Sequence, residues 1–166
     1  WVMLAKATKL LDIPVIASGG LATGGGLAAV LALGAVAANM GTRFMATDEA
    51  PIHDNVKQQI VANDERDTVL VFRNFHNTAR VVRNSISERI VEISNREGAE
   101  FSDIAELASG QRGRQAVLAE GDMEGGMWWA GQTQGLIDSV GSVQDVIDQI
   151  IADAEDAMSA LPSMIS

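Results

Sequence analysis

IPVIASGGLATGGGLAAVLALGAVAANMGTRF, residues 13 to 44, reads as strand, glycine turn, helix, strand and a second glycine turn. Ile13 to Ala17 is short and wholly apolar, the pattern of a strand buried on both faces in a parallel sheet. Thr23 is placed to cap a helix from Gly26 to Leu33, rich in Ala and Leu and ended by Gly34. Val36 to Met40 is a second apolar strand. The unit is βαβ, and its crossover is expected to be right-handed. Each strand delivers glycine at its carboxyl end, Gly19-Gly20 first and Gly41 second.

Working outward, residues 1 to about 11 have the spacing of an amphipathic helix, with Val2, Leu4, Ala5, Leu10 and Leu11 available to one face. After Phe44 the chain becomes more polar. Helices are expected over about 53 to 63, 76 to 95 and 101 to 108, with a strand in DTVLVFRNF. A short helix is expected around Arg112 to Ala119, inside a glycine-rich segment. SVQDVIDQIIADAEDAM forms an amphipathic closing helix capped by Ser142, with apolar residues at 143, 146, 147, 150 and 151. The tail SALPSMIS is expected to fray. Three parts result: a βαβ unit over 1–46, an inserted segment over 47–138, and a returning helix and tail over 139–166. Trp1 opens the chain within a helical pattern, and two parallel strands do not complete an α/β sheet. The expectation is therefore a portion of something longer.

The 166 residues carry a formal net charge of −10 and a sequence pI near 4.5. That balance argues against nucleic acid or an anionic membrane as partner, since phosphate contacts need clustered Lys and Arg. With no cysteine there is no disulfide framework, thiolate nucleophile or thiolate metal ligand. The two histidines, His53 and His76, fit no short metal-ligand spacing. Leu27 to Met40 is too short an apolar run to span a bilayer, and nothing has the pattern of a signal peptide. A soluble cytoplasmic protein is expected.

In α/β sheets ligands bind at the carboxyl ends of strands, where backbone N–H groups and helix starts face outward. SGG after one strand and MGT after the next could hold a phosphate between them, with Thr42 adding a hydroxyl. The other reading is that Gly19, Gly20 and Gly41 only permit tight turns and close packing. GGLATGGG is not a dinucleotide fingerprint, because AVAANMG lacks the acidic residue that pattern requires.

PVIASGG followed by LALGAVAANMGTRF resembles the nitronate monooxygenase family. The resemblance continues through FRNFHNTARVVRNS and ASGQRGRQ to GGMWWAGQTQGLI, nearly the whole chain. It implies an α/β fold: the C-terminal part of a (β/α)8 TIM-type flavin barrel, with an inserted, mainly helical subdomain on the substrate side. It implies FMN as cofactor, with Ser18, Gly19 and Gly20 as the first phosphate turn and Gly41 and Thr42 as the second. The implied reaction is oxidation of an alkyl nitronate by O2; a homo-oligomer is left open. Arg43 stands beside this set as a loop anchor or an added charge. The family's catalytic histidine lies at the end of the strand before this unit, and neither His53 nor His76 matches it. No catalytic or metal-ligating residue is therefore assigned. The same turns occur in related flavin barrels, the NADH:quinone reductases and FMN-dependent enoyl-ACP reductases, and a non-catalytic phosphate-binding module is the reading from another class.

Other residues carry a structural and a functional reading. Arg73, His76, Arg80 and Arg83 form a basic patch, with Arg80 and Arg83 expected on one helical face; they would meet an anionic substrate or nicotinamide cofactor, or simply be solvated. Trp128 and Trp129 would anchor packing or cover a ligand. Gln132 is a candidate hydrogen-bonding group, and His53 reads as a helix-start residue.

Overall fold

The computed structural model describes residues 1–164. The βαβ unit forms as the sequence indicates. Helix α1 (Val2–Leu10) leads to strand β1 (Ile16–Ser18), helix α2 (Gly24–Ala32) and strand β2 (Ala37–Asn39), with β1 and β2 parallel. Thr23 caps α2, its hydroxyl accepting from the Gly26 N–H at 3.2 Å. Gly34 ends the element at φ +92°, a left-handed position that glycine takes without a Cβ clash. The strands are shorter than expected, and they are not covered on both faces. Ile16 is 60% and Val36 59% exposed, because among the described residues β1 and β2 pair only with each other.

Helix α3 (Thr42–Met45) and helix α4 (Asp54–Ala62) follow, then strand β3 (Thr68–Val71). The expected helix over 76 to 95 is corrected. Residues Ala79–Val82 are strand β4, antiparallel to β3 with Thr68 opposite Val82 and Val71 opposite Ala79. Helix α5 (Ser85–Ser94) begins only after Asn84. The β-branched pair at Val81 and Val82 is buried in the core, so tertiary packing overrides the charge pattern that suggests a continuous helix. Asn84 sets the boundary by a capping box: its side chain accepts from the Ser87 N–H at 2.9 Å, and Ser87 Oγ accepts from the Asn84 N–H at 2.8 Å. Arg80 therefore lies on a strand and not on a helical face.

The expected helix over 101 to 108 is a single 3-10 turn, Phe101–Asp103, followed by turns. It is too short to sustain itself without packing. Its Phe101 ring instead sits 5.8 Å from the rings of both Phe72 and Phe75. Helix α6 (Gly110–Arg112) runs into a π-helical stretch, Gly113–Ala119, and a further 3-10 turn covers Gln132–Leu136.

Helix α7 (Val143–Met164) begins at Ser142, whose Oγ accepts from the Asp145 N–H at 3.0 Å. It continues through residues 159–164, where fraying is expected; residues 165 and 166 lie outside the described residues. Val146, Ile150 and Ala154 are buried, whereas Ile147 and Ile151 are partly open at 41% and 47% exposure. The crossing with α2 is close. A Cβ at Gly24 would collide with the Ile150 carbonyl and reach within 2.6 Å of the Ala154 nitrogen. Gly24→Ala is therefore expected to destabilise the intact protein by about 1–3 kcal/mol, through forced separation of two backbones. Urea unfolding checks this, and an unchanged midpoint would remove the close crossing from the list of stabilising contacts.

One hydrophobic cluster joins Ala22 and Ala46 to Val56, Ile60, Val82, Val117, Trp128 and Ile137, so the βαβ unit and the segment after it share a core. Residues 43–48 and 139–141 meet directly. Asp48 N–H donates to the Gly141 carbonyl at 3.0 Å, and Arg43 bridges the Ala46 and Ser139 carbonyls at 2.8 and 2.9 Å. Among the described residues, no helix is long and apolar enough to cross a membrane, and no group of three or more His, Asp or Glu could hold a metal ion.

Candidate functional site

The register of the parallel pair puts Ser18 opposite Asn39, so both strands end level and release Gly19-Gly20 and Met40-Gly41 on the same side. Asn39 Nδ2 donates to Ser18 Oγ at 3.1 Å and ties the two ends together. Asn39 is not singled out by sequence reasoning; its place two residues before Gly41 is the signal that could have found it.

The glycines divide by what requires them. Gly19 and Gly20 hold φ +87° and +73°, conformations in which a side chain is strained. Gly41 holds φ −85°, which any residue can adopt. A Cβ built at Gly41 meets nothing within 4 Å, so neither a turn nor packing within the chain requires glycine there. Cβ atoms at Gly19 and Gly20 also point into open space. A cavity of about 460 Å³ adjoins the first turn, lined by Ser18, Gly19 and Gly20 and by apolar groups including Ala17, Leu21 and Val30. Among the described residues, no backbone carbonyl accepts from the N–H groups of Gly19, Gly20 or Gly41. The pattern suits a small anionic group approached by backbone donors.

Thr42 has a partner the sequence did not reveal. Its Oγ1 accepts from the Gly131 N–H at 3.0 Å, which brings the AGQTQG segment against the second turn. The hydroxyl hydrogen is still available to donate. Gln132 is exposed, with Nε2 3.4 Å from the Glu65 carbonyl, whereas Gln134 is fully buried and donates to the Asp64 carbonyl at 2.9 Å. Gln134 positions the loop, holding it to residues 63 and 64 through Asn63 as well.

Arg43 is a structural anchor. It is buried, its Nη2 donates to two backbone carbonyls, and its Nε has no partner among the described residues. Burial lowers its pKa below the ordinary arginine value, and the nearby Asp138 charge opposes that shift. His53 caps α4 through Nδ1, which accepts from the Asn55 N–H at 3.1 Å. His76 is exposed on the β3–β4 hairpin at φ +55°. Trp128 is buried in the core, whereas Trp129 is 55% exposed.

Comparison with known proteins places this arrangement in a family. The nitronate monooxygenase family model matches residues 1–153. A nitronate monooxygenase from Paraburkholderia phytofirmans is 33% identical over 83% of this chain and 36% of its own length. A (3aS,4S,5R,7aS)-5-hydroxy-7a-methyl-1-oxo-octahydro-1H-indene-4-carboxyl-CoA dehydrogenase from Rhodococcus jostii is 28% identical over 98% of this chain and 56% of its own. The solved structure of FabK from Thermotoga maritima superposes with a TM-score of 0.89 at 37% identity, covering 98% of this chain and 51% of that one. The chain thus spans about half the length, or less, of the relatives it matches. It belongs to the nitronate monooxygenase family of enzymes.

Proposed function

We propose that this chain supplies the phosphate end of an FMN site in an oxidoreductase that oxidises alkyl nitronates with O2. The observation that carries the reading is Gly41: a glycine that neither backbone nor packing requires, level with the Gly19-Gly20 turn on the adjacent strand. Backbone N–H groups of Gly19, Gly20 and Gly41 would hold the phosphate, joined by the hydroxyls of Ser18 and Thr42. Asn39 holds Ser18, and Gly131 holds Thr42, so both turns are positioned before the phosphate arrives. FMN, when bound, supplies the redox chemistry, and the chain's task is to orient it and to furnish part of a dry wall beside it.

The β1–α2–β2 unit is read as the last βαβ unit of a (β/α)8 barrel, with 47–138 as a substrate-side insert. The exposure of Ile16 and Val36 supports this, since flanking strands would cover them. No general base is assigned among these residues, because His53 is occupied as a helix cap.

The likeness to FabK keeps a second reading, a related flavin barrel acting as an FMN-dependent enoyl-ACP reductase or NADH:quinone reductase. Oxygen uptake with propionate 3-nitronate, set against NADH consumption with a quinone or an enoyl thioester, separates the two. Nitronate-dependent oxygen uptake without NADH is the expected result; NADH oxidation with no nitronate turnover would transfer the assignment to the second reading.

Thr42→Ala is expected to weaken FMN retention about tenfold, the low end for a charge-assisted hydrogen bond, because only one donor is lost. Flavin titration checks it. A loss as large as that of a glycine-turn variant would show that the Gly131 tie matters more than the donated hydrogen bond.

A further inference from the structure

Away from the glycine turns, a groove of about 530 Å³ runs between the β3–β4 hairpin and α5, with Thr68, Arg73, Asn74, Arg80 and Arg83 in its lining. Two guanidinium groups converge on one lining residue. Arg80 Nη1 donates to Thr68 Oγ1 at 2.7 Å, and Arg83 Nη2 donates to the Thr68 carbonyl at 3.3 Å. Thr68 itself is buried.

Like charges brought this close repel unless a counter-charge lies between them. The carboxylates nearby neutralise Arg83 only in part and, among the described residues, leave Arg80 unpaired. Glu88 pairs with Arg83 at 3.5 Å, but at an exposed position on both sides, where solvent screens the pair. Glu92, on α5, is held by Arg89 and Arg96, which keep its pKa below the usual carboxylate value. Among the described residues, neither Arg73 nor Arg80 has an ion-pair partner. In a chain of net charge −10, Arg73 and Arg80 without ion-pair partners, beside a solvent-screened Arg83, focus positive potential in one concavity.

The backbone on either side of Arg73 is strained. Phe72, buried, holds φ +61°, an unusual conformation for a bulky side chain, and His76 holds φ +55°. These two left-handed residues bracket the 3-10 turn Arg73–Phe75. Asn74 pins that turn to α5, its Nδ2 donating to the Ser94 carbonyl at 2.6 Å. Arg73 is thereby presented at the groove on a braced turn.

We infer that this groove binds the phosphate monoester of an anionic ligand, held by Arg80 and Arg83, which converge on Thr68, and by Arg73 on the adjoining turn. The planar guanidinium fork matches phosphate oxygens better than an ammonium would. The volume lies in the range of small-molecule sites and accommodates a nucleoside phosphate. Two sources share that chemistry: the adenosine 3′-phosphate end of a coenzyme A thioester and the 2′-phosphate of a nicotinamide nucleotide.

The test is calorimetric titration of the intact protein, saturated with FMN so that the glycine turns are filled, and repeated without added FMN. The probes are inorganic phosphate, adenosine 3′,5′-bisphosphate, adenosine 2′,5′-bisphosphate and adenosine. Saturable binding is expected for the bisphosphates, displaced by inorganic phosphate and absent for adenosine. The tighter bisphosphate identifies the source. Arg73→Glu, at an exposed position, and Arg80→Gln should each weaken binding roughly tenfold or more, as loss of a charge-assisted hydrogen bond does. Flavin content and near-ultraviolet circular dichroism should stay unchanged. Absence of saturable bisphosphate binding, or an affinity untouched by both substitutions, would overturn the inference whatever becomes of the FMN assignment.

Discussion

Gly41→Val is expected to weaken FMN binding by the intact protein about ten- to a hundredfold while leaving the fold in place. The structure separates these two outcomes. At φ −85° valine suffers no left-handed strain, and the added Cβ meets nothing within 4 Å, so folding has little reason to respond. A phosphate seated on the Gly41 N–H would respond, because the branched side chain would hold it away from its donors. Each lost charge-assisted hydrogen bond is worth roughly 1.5–3 kcal/mol, which sets the expected range. Fluorescence titration of flavin-free protein with FMN reads the affinity, and thermal unfolding in the absence of FMN reads the fold. A valine variant that retains flavin as wild type does would remove the phosphate from this position.

Substitution of Trp128 is expected to have the largest effect on stability. Its side chain is buried in the cluster that joins the βαβ unit to the segment after it, and its carbonyl accepts from the Val82 N–H at 3.1 Å. Trp128→Ala should cost about 3–5 kcal/mol by lost burial and an unfilled cavity. Trp128→Phe should cost much less than alanine. It keeps most of the ring and removes an indole N–H that is buried without a partner, a group that carries its own desolvation penalty. Denaturant unfolding of the two variants checks the order. Equal losses for Phe and Ala would mean that the indole N–H is satisfied in solution.

The parts of the fold legible in sequence are those where one physical cause dominates. Ile13 to Ala17 and Val36 to Met40 read as strands because apolar runs that short are hard to place elsewhere, and Thr23 and Gly34 delimit the helix between them. The hairpin was hidden because RVVRNSISERIVEIS carries charges at spacings a helix also allows. No glycine or proline interrupts it, and the deciding groups, Asn84 and Ser87, act through a reciprocal cap that resembles ordinary polar sequence. Exposure of the strand pair was illegible for another reason: apolar composition tells that a face needs covering, not which residues cover it.

The candidate site divides in the same way. Gly19, Gly20 and Gly41 stand out in the sequence, yet only the backbone angles and the space above each show that the first two serve the turn and that Gly41 does not. The ties from Asn39 to Ser18 and from Gly131 to Thr42 span 21 and 89 residues, and no local pattern announces such pairings. Arg43 was ambiguous as a charge beside a glycine turn, and its two carbonyl partners resolve it as an anchor.

The central claim is that the two glycine turns recognise a phosphate, and comparison of FMN with riboflavin tests it most directly. Riboflavin keeps the flavin ring and lacks only the phosphate. Affinities of both ligands, measured on the intact wild-type protein and on Gly41→Val, isolate the interaction between that phosphate and this position. The expected result is a strong wild-type preference for FMN that shrinks about ten- to a hundredfold in the variant, with riboflavin affinity nearly unchanged. An FMN preference equal in the two proteins would contradict the assignment.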